Sequence, residues 1–393
     1  MLTASRPTRR PKWPVRFFSG LGVTAVTAAA VAFAGNHYST QVFDRVETVT
    51  LADPSVAAKD GTPTTAKSSK ATGPTVAENY LLVGSDSREG ADPNDADYGG
   101  IGAAAKTQGK RSDVMLVMRY DPATKNSALV SVPRDLWVTL ADTGRKDRVN
   151  EAFDRDDPTD RSNNLTTTIA QALNIPINHY VEVNFAGFKA LVEAVGGVSV
   201  FLEYPVRDSS TGLEIMKAGC VQLTGVQARQ YVRSRHLQEL KNGKWITDET
   251  SDFGRMARQR DFITRAMNKA AAKSAADPLV SGQLLRAVTP FLRLDDKIDL
   301  NGLSEQFRNS AASEVLSFAL PVAGAKISGN DVLVLKADEA KPILDVFRGT
   351  ARMESTTTAT PEAQSATGGV PGPLPPLSTT AAASPADPAA SCR

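Results

Sequence analysis

Four polar clusters in this chain set carboxylates beside guanidinium groups, the side chains that hold divalent metal ions and phosphates. The first, Gly84-Ser85-Asp86-Ser87-Arg88, directly follows the apolar run Tyr80 to Val83. Its glycine permits a sharp exit, after which Asp86 and Arg88 alternate outward. Taken alone, it also reads as an ordinary surface pair. The second, Arg111-Ser112-Asp113, heads the next apolar run. If the two runs are neighbouring strands in the right sense, Asp86 and Asp113 can share a Mg²⁺ ion, or Mn²⁺ in its place. Such ions take oxygen ligands and need few from the protein when phosphates complete the shell. Two separate surface aspartates are the competing reading. The third, Pro133-Arg134-Asp135, closes another run. A rigid proline there aims Arg134 for a bidentate grip on phosphate, unless Arg134 and Asp135 simply pair. Arg148, Asn150 and Glu151 add a cation and an amide nearby.

The fourth cluster is the richest: Arg229, Arg233 and Arg235, then Asp252, Arg255, Arg258, Arg260 and Arg265. Arg229 and Arg233 share a helix face, where like charges repel unless an anion lies between them. Arg233 and Arg235 point the same way only if the chain is extended there. Arg255 and Arg258 share a face near a helix start. A solvated face normally mixes Lys and Glu into such a run, so this composition asks for a polyanion. An exported position, a net charge of only +2 and the lack of a binding motif argue against nucleic acid. The scattered His37, His179 and His236 form no ligand set, and His37 and His179 read as structural. Cys220 and Cys392 have neither zinc-ligand spacing nor the look of a disulfide framework.

The elements that must position these groups begin after a membrane segment. Phe17 to Ala34 carries no charge and approaches the about 20 residues that span a bilayer. Arg6, Arg9, Arg10, Lys12 and Arg16 all precede it, which leaves residues 1–16 in the cytoplasm, 17–36 in the membrane and the rest outside. A cleaved signal peptide ending at Ala32 to Ala34 is the rival reading, and it exports the same chain. Residues 37–76 read as a tether and 350–393 as a disordered Pro-, Ala- and Thr-rich tail, since neither has the apolar surface to fold. The folded body is 77–349. In it, Val114 to Tyr120 and Ala128 to Val132 flank the turn formers of DPATKN and should pair as an antiparallel hairpin. Leu165, Ile169 and Leu173 mark one buried face of a helix. A strand from Tyr180 to Phe185, a helix from Ala186 to Val195 stopped by Gly196-Gly197, and a strand from Val198 to Leu202 follow. Thr224 and Gln227 match a capping box that opens another helix. The Gly-rich stretch from Gly90 to Lys110 suits a mobile lid. The pattern predicts an α/β or α+β sandwich, a central mixed sheet flanked by helices, preceded by one transmembrane helix.

The strings LLVGSDSR, RSDVMLVMRYDPATKNSALVSVPRDLWV, RVNEAF, YVEVNFAGFKALVEAVGGVSV, LTGVQARQYVRSRH and DFGRMARQRDFI, in this order, resemble the LytR-CpsA-Psr family. The likeness is dense from Leu81 to Met267 and fades toward Gly349. It implies a cytoplasmic N-terminus, one membrane helix and an extracellular α/β catalytic domain. It also implies a phosphotransferase that joins a polyprenyl-pyrophosphate-linked glycan to peptidoglycan, assisted by Mg²⁺. By position, Asp86 and Asp113 match the family's metal carboxylates. Arg88, Arg134, Arg233, Arg235 and Arg255 match its pyrophosphate-binding arginines, with Arg148 and Arg258 as further contacts and Asp252 in support. Arg148 stands where many members carry Lys, which replaces a point charge with a planar fork. The tail lacks the additional C-terminal domain of some actinobacterial members. Phosphoryl transfer suits these residues, because it needs positioning and charge neutralisation more than a histidine base. The implied lipid requires that the apolar segments from Val181 to Val200 leave a tunnel instead of a closed core. Teichoic acid, arabinogalactan and a capsular polysaccharide all remain open as the glycopolymer. A phosphatase acting on polyprenyl pyrophosphates and a non-catalytic envelope regulator that binds anionic polymer are the alternative functions.

Overall fold

The computed structural model describes residues 46–52, 76–87, 92–95, 98, 112–298, 315–353 and 392. The segment read as membrane-spanning, most of the tether, the lid stretch apart from a few residues, most of the tail, and Arg88 lie outside them. Among the described residues no helix is long and apolar enough to cross a membrane.

A seven-stranded mixed sheet forms the centre. Its strands are β1 (Glu47–Val49), β2 (Glu78–Ser85), β3 (Ser112–Asp121), β4 (Asn126–Ser131), β7 (His179–Val183), β14 (Leu292–Asp295) and β15 (Val315–Ala319), in the order β1-β14-β7-β2-β3-β4-β15. β3 and β4 pair antiparallel as expected, and Lys125 closes their turn at φ 60°. Alternation along β2 and β3 sends Leu81, Val83, Met115 and Val117 to one face and Tyr80, Leu116, Met118 and Tyr120 to the other. The first face is covered by α1 (Pro158–Leu173), through Leu165, Ile169 and Leu173, and by α6 (Ala337–Arg348), through Leu344 and Phe347. The second face meets α4 (Ser251–Ala276), through Ile263 and Met267.

Behind α4 lies a second core. It is built by α2 (Phe185–Ala194), α3 (Gly225–Arg233), α4, α5 (Pro278–Val288) and the ribbon of β8 (Val198–Leu202) and β11 (Gly219–Leu223). Val192, Val195, Val198 and Val200 are at most 1% exposed within it, so these four positions of the Val181 to Val200 segment are packed core. Phe185 starts α2 instead of ending β7, because Asn184 caps the helix by accepting from the Gly187 amide. Gly196 and Gly197 end it at positive φ, as their sequence predicts. Smaller sheets complete the fold. They pair β5 (Trp137–Thr139) with β6 (Lys146–Arg148), join β9 (Val206–Asp208), β10 (Leu213–Ile215), β12 (Gln238–Lys241) and β13 (Lys244–Thr247), and form a C-terminal hairpin of β16 (Val322–Ile327) and β17 (Asn330–Leu335).

Two expectations need correction. β1 lies inside the stretch read as a tether, where it runs parallel to β14 and buries Val49 and Leu51. A three-residue edge strand is too short to show periodicity. Cys220 in β11 forms a disulfide with Cys392, with Cα atoms 5.4 Å apart across a sequence separation of 172. Such a pairing is set by tertiary proximity, which spacing does not report.

At the sheet end where β2 and β7 begin, His179 sits between Glu78, 3.3 Å from Nε2, and Asp295, 3.2 Å from Nδ1, with its ring stacked on Tyr80. Burial alone would lower its pKa, but the two carboxylates outweigh that and raise it to about 9. The imidazolium is therefore favoured by folding. Its contribution is complete below about pH 6.5 and disappears as the pH rises through 9, amounting to roughly 3 kcal/mol at most. Melting temperature should fall by about 5–10 °C between pH 6.5 and 10, and His179→Gln should flatten that slope. An unchanged slope in the variant would remove His179 from the account.

Candidate active site

The site assembles at the opposite end of the central sheet, where β2, β4 and β7 finish and β3 starts. Ser85 pairs with Ser112, and the register shifts between Gly84 and Ser85. Asp86 and Asp113 thereby come to the same end of adjacent antiparallel strands, the sense that a shared ion requires. The Ser85 and Ser112 hydroxyl oxygens are buried there without a hydrogen-bond partner.

Beyond β4, the turn at Pro133 projects Arg134 beside the first turn of α4. Arg134 Nε donates to Asp135 Oδ2 at 3.2 Å, and Nη2 donates to Asp252 Oδ2 at 3.1 Å. Asp252 also draws in Arg255 Nη2, at 3.4 Å from Oδ2, and Arg235 Nε, at 3.6 Å from Oδ1. One carboxylate from α4 thus gathers three guanidinium groups that are separated by up to 121 positions. Arg255 is nearly enclosed, with 3% of its side chain exposed, while Arg134 and Arg235 remain open to solvent. Arg148 flanks the group; it donates to Glu151 Oε1 at 3.0 Å and lies 3.9 Å from Asp135 Oδ1. Arg233, at the end of α3, stacks its guanidinium over the Phe185 ring at 4.9 Å from the centroid.

α3 opens with the expected capping box of Thr224 and Gln227 and stops at Ser234, whose φ of −59° and ψ of 124° are extended. This is the condition under which Arg233 and Arg235 align. Asp208 on β9 holds the turn in place: it accepts from Ser234 Oγ at 2.6 Å and from the His236 amide at 3.0 Å. Burial would raise its carboxyl pKa, but these donors and Ser210 keep it below the ordinary range, so it stays ionised.

Two arginines of the fourth cluster serve the scaffold. Arg258 donates to Asp248 Oδ2 at 2.9 Å and to the Ser234 carbonyl at 2.7 Å, which makes it a strut for the Arg233–Arg235 turn. Sequence spacing offers Arg258 as a pyrophosphate contact; in the structure its Nη1 and Nη2 hold this brace, while its Nε is buried without a hydrogen-bond partner. Arg229 is fully buried and donates to Asp95, which also accepts from Lys189. Asp95 therefore neutralises Arg229, one of the two like charges that share this helix face. Gly254, in the first turn of α4, has a packing reason. A methyl there would strike the Thr250 hydroxyl and lie 2.8 Å from Asp248 Oδ2. Asp208, Asp248 and the buried Gln259, which donates to the Val232 carbonyl, had no signal in the sequence beyond turn-forming or helical character.

Arg134, Asp252 and Arg255 form one wall of a cleft of about 440 Å³, and the β16–β17 hairpin forms the other. On the inner side of the same arginines a smaller pocket of about 10 Å³ is lined by Val114, Leu116 and Val132.

A family model described as the LytR_cpsA_psr family matches residues 46–347. The "Probable cell wall biosynthesis protein LcpB" of Corynebacterium glutamicum is 34% identical over 196 residues, covering 50% of this chain and 42% of that protein. The "Polyisoprenyl-teichoic acid--peptidoglycan teichoic acid transferase TagU" of Halalkalibacterium halodurans is 28% identical over 250 residues, covering 63% of this chain and 76% of that one. With several other TagU relatives the match is again partial, so the chain spans about half the length of most curated relatives it matches. The solved "LytR-Csp2A-Psr enzyme from Actinomyces oris" shares the fold, with a TM-score of 0.56 at 23% identity over 77% of this chain and 96% of that one.

Proposed function

The chain belongs to the LytR-CpsA-Psr family, and from that premise we propose that it transfers a glycopolymer phosphate from a polyprenyl-pyrophosphate carrier to peptidoglycan. The observation that carries this reading is the convergence of Arg134, Arg235 and Arg255 on Asp252 beside an open cleft. Guanidinium groups held in this way are preorganised for the charge that develops on a transferring phosphate. The donor's pyrophosphate lies among them. An acceptor hydroxyl oxygen attacks the phosphorus that bears the glycan, and the bond from that phosphorus to the bridging oxygen breaks. Polyprenyl phosphate leaves, and the hydroxyl proton passes to solvent. Arg233, steadied on Phe185, and Arg148 supply further positive charge at the rim.

Asp86 and Asp113 are the proposed ligands of Mg²⁺, with Mn²⁺ as a substitute. Their shared strand end and the unpartnered oxygens of Ser85 and Ser112 beside it fit a hard cation that takes oxygen ligands. When bound, the ion would neutralise charge on the two phosphates. Arg88, two residues beyond Asp86, is proposed as a further phosphate contact. The lipid is proposed to lie between the sheet and α4, where Leu82, Val114, Ile263 and Met267 are only partly buried. The basic run before Phe17 to Ala34 supports a single-pass anchor with this domain outside the cell.

A labelled lipid-linked glycan supplied with and without peptidoglycan fragments tests the reading. Label should enter peptidoglycan only when acceptor is present, stop on chelation and resume with Mg²⁺. Release of free glycan phosphate at equal rates with and without acceptor would identify a phosphatase. Binding of the donor without turnover would identify an envelope regulator.

A further inference from the structure

The cleft has two unlike walls. One is the first turn of α4 with the Arg134 loop, from which Phe253 presents a ring that is 41% exposed. The other is the β16–β17 hairpin. Gly324 pairs with Leu333 and Lys326 with Asp331, so strand alternation puts these four residues on one face of the hairpin, and all four line the cleft. The hairpin is tied to the reaction centre: the Leu333 amide donates to the Asp135 carbonyl at 2.9 Å, and Leu136 bridges to Leu333. Its cleft-facing groups are therefore held in register with Arg134. Lys326 and Asp331 are exposed and enter no salt bridge with each other or with any other described residue. An exposed aromatic ring and two exposed charged groups that form no ion pair with a described residue, lining one groove of this volume, are the chemistry of a saccharide site that also meets carboxylates.

The transfer geometry decides which saccharide enters. The arginine wall separates this open cleft from the narrow apolar crevice toward Val114, Leu116 and Val132. In-line displacement requires the attacking oxygen to approach opposite the leaving oxygen. A leaving polyprenyl phosphate belongs on the apolar side, so the nucleophile comes through the cleft. We propose that the cleft between α4 and the β16–β17 hairpin is the acceptor subsite. It takes a peptidoglycan glycan strand, with a sugar ring on Phe253, sugar hydroxyls donating to Asp331 and a stem-peptide carboxylate on Lys326. This assignment rests on the transferase reading above, and it adds that acceptor choice is made by the hairpin.

Gly324 provides a clean test, because a side chain built there meets nothing within 4 Å and its backbone is not in the left-handed region. Gly324→Phe should fill the cleft without unfolding the full-length protein, which its melting temperature will check. Peptidoglycan oligosaccharides with and without stem peptides serve as acceptors and calorimetric probes, and a lipid-linked glycan serves as donor. In Gly324→Phe, kcat/KM for the acceptor should drop at least about thirtyfold while donor KM stays constant. Lys326→Ala should raise KM about threefold to tenfold for peptide-bearing acceptors only. Unchanged acceptor kinetics in Gly324→Phe, or a change in donor KM instead, overturns the assignment. If the wild type binds the oligosaccharides but transfers nothing, and Gly324→Phe abolishes that binding, the transferase reading fails and the saccharide site stands. If the wild type does not bind them, the site itself is refuted.

Discussion

Arg134→Ala is expected to lower kcat/KM for glycan transfer by about 10²–10⁴-fold while shifting the melting temperature by only a few degrees. The side chain bridges Asp135 and Asp252 and lies on the surface shared by the cleft and the apolar crevice. No other described arginine touches both of these carboxylates at hydrogen-bond distance. The Arg134 side chain is 20% exposed and its partners 23% and 33%, so loss of the pairs is a modest cost to stability, whereas in the proposed reaction the lost donors act on charge that builds up on the transferring phosphate. Arg134→Lys keeps the charge but loses the planar fork, and should recover no more than about a tenth of the wild-type rate. Single-turnover transfer with saturating donor separates this effect from binding. Activity within about threefold of wild type for the alanine variant would remove Arg134 from the reaction centre.

Arg229→Met is expected to do the reverse. Arg229 is 0% exposed and donates to Asp95 at 2.9 Å, and Lys189 reaches the other oxygen of that carboxylate at 2.8 Å. Burial acts to raise the Asp95 pKa, but these two cations overcome it and hold the carboxyl below its ordinary range. Removing one member of a buried pair leaves charge poorly compensated and costs about 3–5 kcal/mol. Urea unfolding should show that loss, while the folded fraction keeps its turnover number. The Asp95→Asn variant should lose stability too, and the double variant should lose less than the sum of the two. A stability change below about 1 kcal/mol together with a turnover defect would instead place Arg229 among the ligand-binding groups.

These contrasting arginines mark the boundary between what local sequence conveys and what it does not. The β3–β4 hairpin, the buried stripe of α1, the glycine stop of α2 and the capping box of α3 were legible, because each depends on residues within a few positions of one another. So were the four clusters, and all four contribute described groups to one sheet end. The sequence could not separate the arginines of the fourth cluster. Arg235 and Arg255 face Asp252, Arg258 braces a turn, and Arg229 neutralises a buried aspartate, yet all four read alike as cations near helices. Their fates depend on carboxylates supplied by distant segments. The same limit hid β1, the Cys220–Cys392 disulfide and the anchoring role of Asp208, all of which exist only through contacts between remote parts of the chain.

The sequence by itself determined the kinds of element, most of their limits and the chemistry of the side chains at their ends. The tertiary structure alone decided which charges meet: sheet order carried the ends of β2, β3, β4 and β7 together, and α4 delivered Asp252 against them. The physical reason is range. Backbone propensity and hydrophobic period act over a few residues, whereas the pairing of buried and half-buried charge is settled by whichever opposite charge the packed layers bring within a few ångströms.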